Sequence, residues 1–153
     1  MPRVTDIALI ETADQPVLCI RTQSSMTQLP QLIGSAYGKL AAYLGELDTS
    51  PSDIPYVCYR NMDMEHLNLE IGFPVAKSLP DREDMISVMI PAGKYVFCIY
   101  RGPYQDMPPV YQEINDWIDT HQMRPTGIVY ECYLNGPTVP PEELLTKIVF
   151  QLM

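Results

Sequence analysis

YVCYRN at residues 56–61 and YECYLNG at residues 130–136 are almost the same β-prone strand written twice in one chain. A strand repeated at this distance points to a duplicated unit, and the rest of the sequence can be tested against that reading. Cys58 falls on Cys132. The same offset aligns, without gaps, SAYGKLAAYLGEL (35–47) with PVYQEINDWIDTH (109–121). It sets Tyr37 on Tyr111, Leu40 on Ile114, Tyr43 on Trp117 and Leu44 on Ile118, a spacing that predicts one apolar helix face in each copy. LNLEIGFPV (67–75) resembles LLTKIVFQL (144–152), with Ile71 on Ile148 and Phe73 on Phe150 after a longer second loop. VLCI around Cys19 matches VFCIY around Cys98.

Each half therefore reads strand, helix, strand, strand. The fold class is α+β: a duplicated βαββ unit with an antiparallel sheet and two main helices, forming one domain over 1–153 with halves at about 1–80 and 86–153. Added strands at 6–11 and 85–90 are expected to complete the sheet. Glycines and prolines, Pro30, Gly34, Pro108, Pro109, Pro125 and Pro137 among them, are read as joins between elements. Strand alternation is read with Cys58 and Cys132 toward the helices. That places Val57 and Tyr59, and in the second copy Val129, Glu131 and Tyr133, on the opposite face.

The totals narrow the function. The 153 residues carry a formal net charge of -9 at pH 7, and a chain this acidic is repelled by phosphate backbones and anionic lipid. Direct nucleic-acid and membrane binding are therefore not expected, while cationic ligands and basic protein surfaces are electrostatically easier partners. With no leader and no long apolar run, the expected location is cytoplasmic. Cys19, Cys58, Cys98 and Cys132 lack paired spacing and read as buried free thiols, with no metal site and no cofactor. His66 and His121 read as solvent-exposed. No Ser-His-Asp arrangement or phosphate-cradling loop is visible.

Four pieces carry a family resemblance: GPY at 102–104, the aromatic Trp117, YECYLNGP at 130–137 and PPEELLTKI at 140–148. Together they resemble the second half of the GyrI-like small-molecule-binding domain, also found as the effector-binding domain of AraC-type and MerR-type regulators. The resemblance implies a pseudo-twofold axis, a central groove between the halves, and an aromatic pocket around a buried glutamate. That pocket takes lipophilic, often cationic or planar compounds. It carries the strand glutamate onto Glu131 and the turn tyrosine onto Tyr104. Members commonly have a second acid where this chain has Lys147, and by alternation Lys147 is expected to share the face of Glu131 and partly neutralise it.

A carboxylate in mid-strand among apolar residues costs several kcal/mol unless paired. From the residues alone Glu131 is an edge-exposed acid, a salt bridge to Lys147 or a pocket acid; the resemblance favours the last. As a pocket acid it pairs with a ligand cation stacked on rings, or acts as general base with Tyr104 or Tyr133 as acid. The second role follows stand-alone relatives that hydrolyse cyclopropanoid genotoxins. For Tyr59, Tyr95 and Tyr133, pocket lining and sheet packing stay open, and Tyr111 and Trp117 read as core with an edge toward the ligand. The chain is expected to be a stand-alone domain, with too little sequence ahead of residue 16 for a helix-turn-helix. A protein partner such as DNA gyrase is the third reading. No oligomeric state follows from the sequence.

Overall fold

The repeated stretches are strands in the computed structural model, which describes residues 3–136 and 138–153. Pro137, read above as part of a join, lies outside the described residues. In chain order the elements are β1 (Ala8–Thr12), β2 (Gln15–Ser24), α1 (Leu29–Glu46), β3 (Tyr56–Tyr59), β4 (Leu67–Pro74), β5 (Met85–Ile90), β6 (Gly93–Arg101), α2 (Pro108–Thr120), β7 (Pro125–Tyr133) and β8 (Leu145–Leu152). Single 3-10 turns occupy Tyr104–Asp106 and Pro141–Glu143. All the strand pairings described are antiparallel.

The chain divides into two compact units. In the first-repeat unit, Ala13–Ala92, the strand order is β3-β4-β2-β5 with α1 on one face. In the second-repeat unit, the residues up to Thr12 with Gly93–Met153, the order is β7-β8-β6-β1 with α2 on one face. Both units thus place the strand before the helix beside the last strand of the repeat, and both add one strand on its outer side. The added strands depart from the boundary read in the sequence. β1 pairs with β6, Ile10 opposite Tyr95, and so joins the second repeat; β5 pairs with β2, Ser87 opposite Leu18.

The helices begin where proline permits. A proline in the first turn lacks only an N–H that has no intrahelical partner there. Pro30 opens α1 in this way and Pro108 and Pro109 open α2, so these residues lie inside the helices rather than in joins. Gly34 is likewise helical, the sixth residue of α1, and Pro125 is the first residue of β7. The buried face of α1 is Leu29, Ala36, Leu40, Tyr43 and Leu44. In the second-repeat unit Val110, Ile114 and Ile118 of α2 pack with Val96, Cys98, Tyr100, Val129, Ile148 and Phe150 in one core. Burial of each of those isoleucines stabilises by roughly 1.5–3 kcal/mol.

That core reverses the facing read from the sequence. Val129 lies beneath α2, so Glu131 and Tyr133, two and four residues on, face the helix as well, and Cys132 points to the opposite side. The first-repeat unit agrees. Tyr37 of α1 packs on Phe73 at 5.2 Å between ring centroids, Ile71 shares the face of Phe73, and Val57 is its cross-strand neighbour. Val57 therefore faces the helix and Cys58 does not. The two sides are equally apolar here, since Tyr56, Val57 and Cys58 are all buried, which leaves no polar alternation to mark the faces. The first strands are also one residue out of the register assumed. Cys98 is opposite Ile148 but Cys19 is opposite Gly72; the residue opposite Ile71, the counterpart of Ile148, is Ile20.

Gly38 lies on the exposed side of α1, and a methyl group added there meets no atom within 4 Å. Because glycine in a helix interior costs about 0.5–1 kcal/mol relative to alanine, Gly38→Ala is expected to raise unfolding stability by that amount. A urea denaturation series measures it.

Candidate functional site

In the second-repeat unit β7 presents Glu131 toward α2, and α2 answers with Tyr111, whose hydroxyl donates to Glu131 Oε2. Tyr133, on the same face of the same strand, donates to Oε1 at 3.1 Å. Glu131 as a whole is 8% exposed. Each such bond to a buried charge contributes about 1.5–3 kcal/mol and offsets the loss of hydration. Rings wall the acid: Tyr111 meets Phe150 edge-on at 5.4 Å, and Tyr133 meets Tyr104 edge-on at 5.8 Å.

Tyr104 reaches this place because of the turn before it. Gly102 has φ of 144°, a conformation that favours glycine, and a Cβ there would stand 2.7 Å from the Tyr100 hydroxyl. The Tyr100 hydroxyl donates to the Pro103 carbonyl at 2.6 Å, while the Gly102 N–H donates to the Leu144 carbonyl at 2.9 Å. The turn thus held projects Tyr104 with 49% of its surface exposed. Its phenol pKa is raised, by partial burial first and by the charge of Glu131 second, so it stays protonated as a donor near neutral pH.

Four of the residues singled out in the sequence, Glu131, Tyr104, Tyr111 and Tyr133, come together here. Lys147 does not join them. It is opposite Cys132 in the ladder, on the face away from α2, with its ammonium 5.0 Å from the centre of the Phe97 ring. The neutralising contact with Glu131 expected from alternation is therefore replaced by a contact with an aromatic ring. Tyr95 also faces away from α2, buried against Tyr130 at 6.3 Å. Trp117 is six residues beyond Tyr111, about 9 Å along the helix axis. It packs against the α2 core and stacks on His121 at 3.7 Å. Tyr59 belongs to β3 of the first-repeat unit, on its helix-facing side.

A second buried acid escaped the sequence reading. Glu70 of β4 accepts from the Tyr56 hydroxyl at 2.7 Å and from Arg21 Nε at 3.0 Å, on the face of the first-repeat unit that carries Cys19 and Cys58. Its side chain is 3% exposed, whereas that of Arg21 is 48% exposed. Tyr56 reaches across because Gly72 has no side chain: a Cβ there would lie 2.9 Å from the Tyr56 hydroxyl and 2.7 Å from the Leu18 carbonyl oxygen. The desolvation of this face pushes the Cys19 thiol up to about 12 and raises the Tyr56 phenol, with Glu70 adding to both shifts. The signal was present in the repeat, since the alignment of Ile71 with Ile148 sets Glu70 on Lys147.

The comparisons with known proteins agree with this architecture. The family model described as the GyrI-like small molecule binding domain matches residues 5–153. No curated protein matches. Among solved structures, the crystal structure of the EcmrR C-terminal domain is similar at 20% identity and TM-score 0.76, covering 98% of both chains. In the cryo-EM structure of the EcmrR–DNA complex the similarity is 21% identity and TM-score 0.74, over 96% of this chain and 57% of that one, so the chain spans little more than half of that EcmrR's length. A hydrolase from Listeria innocua is similar at 13% identity and TM-score 0.73, over 96% of this chain and 91% of that one. SAV2435 bound to tetraphenylphosphonium is similar at 14% identity and TM-score 0.62, over 97% and 94%. At these identities the structural likeness establishes the fold.

Tyr56→Phe deletes one donor to Glu70 while keeping the ring. It is expected to destabilise the protein by about 1.5–3 kcal/mol, read as a lower urea midpoint with an unchanged slope.

Proposed function

The chain belongs to the family of GyrI-like small molecule binding domains, and we propose that it binds lipophilic, aromatic or cationic compounds at Glu131 in a response to xenobiotics or toxins. The observation that carries this reading is a buried carboxylate ringed by aromatic side chains, one of which, Tyr104, is half exposed. Such an acid attracts a cation more strongly than a solvated one, because the local dielectric is lower. Flat or bulky aromatic bodies gain further from ring edges and faces. The Lys147 ammonium is turned to the other side of the sheet, which supports a preference for cations. The tetraphenylphosphonium held by SAV2435 is a compound of this class, and the net charge of -9 draws such ligands in.

A second reading has its own support. Tyr104 retains its proton beside a carboxylate able to accept one, the pairing required to open a strained ring with water. Glu131 would take a proton from water, whose oxygen bonds to a ring carbon of a cyclopropanoid electrophile. The ring C–C bond breaks, and Tyr104 protonates the carbon that leaves with the electron pair. Glu131 then returns its proton to Tyr104. The Listeria innocua neighbour is described as a hydrolase.

Calorimetric titration with tetraphenylphosphonium tests the first reading. Glu131→Gln is expected to weaken binding at least tenfold, about 1.4 kcal/mol, and an unchanged affinity would remove Glu131 from the site. For the second, incubation with a cyclopropane-containing alkylator is expected to give a product heavier by one water, lost in Tyr104→Phe. Turnover no faster than in buffer contradicts it.

A further inference from the structure

Thr146 of β8 is fully buried, and its Oγ1 has no hydrogen-bond partner among the described residues. A hydroxyl left in that state destabilises the fold, so a threonine there in place of valine needs a compensating role. Its position in the ladder suggests one. Thr146 stands between Tyr100 of β6 and Tyr133 of β7, directly opposite both, on the face that carries Glu131. Tyr133 is tied to Glu131 and touches the Tyr104 ring, and Tyr100 holds the turn that carries Tyr104.

The protons around this point are committed. Tyr111 and Tyr133 donate to Glu131, and Tyr100 donates to the Pro103 carbonyl. The hydroxyl proton of Thr146 has no such acceptor. Resting on the binding reading above, we propose that Thr146 is a specificity-determining residue of the Glu131 site, donating its hydroxyl proton to a neutral acceptor, such as a carbonyl oxygen, on a lipophilic ligand. Tyr104 is the ring that turns aside to admit that group, since it sits in a short turn and is half exposed. The site then selects two features at fixed separation: a cationic or aromatic body at Glu131 and a carbonyl at Thr146.

The test compares tetraphenylphosphonium, which has no hydrogen-bonding group, with (4-acetylphenyl)triphenylphosphonium, which adds one carbonyl at the same charge. Thr146→Val is close to isosteric, and its urea midpoint is expected to equal or exceed that of the unmodified protein. It is expected to bind tetraphenylphosphonium within twofold of the unmodified protein and the acetyl probe at least fivefold more weakly. Thr146→Ser, which keeps the hydroxyl, restores most of the difference. Equal changes for both probes, or a marked fall in the urea midpoint of Thr146→Val, overturn the role of Thr146 and leave the binding reading standing. Failure of the unmodified protein to bind either probe overturns both.

Discussion

A carboxylate buried beneath a helix has to be held by hydrogen-bond donors or by a paired charge. In the second-repeat unit this constraint organises everything around Glu131. Strand alternation puts Glu131 under α2 with Val129, and removal from water costs several kcal/mol unless offset. Tyr111 from the helix and Tyr133 from the same strand supply the bonds. Both donors are neutral phenols. The GPY turn completes the wall by a separate device, a glycine with positive φ that lets Tyr100 and Tyr104 take their places.

The two units show how one βαββ plan acquires a site in one copy and not in the same place in the other. Tyr37 of α1 is the counterpart of Tyr111, but Val57 stands where Glu131 does. The Tyr37 hydroxyl donates to the Tyr56 carbonyl. The first-repeat unit carries its buried acid on the other side of its sheet, at Glu70, where the second has Lys147. Arg21 pairs with that acid and Tyr56 donates to it, an arrangement in which the charge is already matched. Tyr111 and Tyr133 donate to Glu131, whereas Tyr56 and the Arg21 guanidinium hold Glu70.

The duplication was legible because identical registers in a helix and two strands leave a strong trace in the sequence. So was the addition of 85–90 as a strand; of the eight residues grouped in the sequence, Glu131, Tyr104, Tyr111 and Tyr133 meet, while Lys147 and Tyr95 lie on the other face of the sheet. The facing of the strands was not legible. YVC has no polar residue and all three side chains are buried, so period-two alternation carried no information about which side was which. That single ambiguity accounts for the misplacement of Glu131 and Cys132, and with it for the expected pairing of Glu131 with Lys147. Pro30 concealed the first six residues of α1 by acting as a helix starter where it had been read as a breaker. Glu70 was overlooked because its strand, LNLEIGF, was read for apolar matches alone, although its alignment with Lys147 marked it as a charged position in both copies.

The central claim is that ligands meet the α2-facing side of the second-repeat unit, at Glu131 and its three tyrosines. Tyrosine ring resonances, assigned by single Tyr→Phe substitutions and followed by NMR during a tetraphenylphosphonium titration, test it directly. The account predicts shifts at Tyr104, Tyr111 and Tyr133, with Tyr95 and Tyr130 on the opposite face unmoved. Shifts confined to Tyr95 and Tyr130 would contradict it.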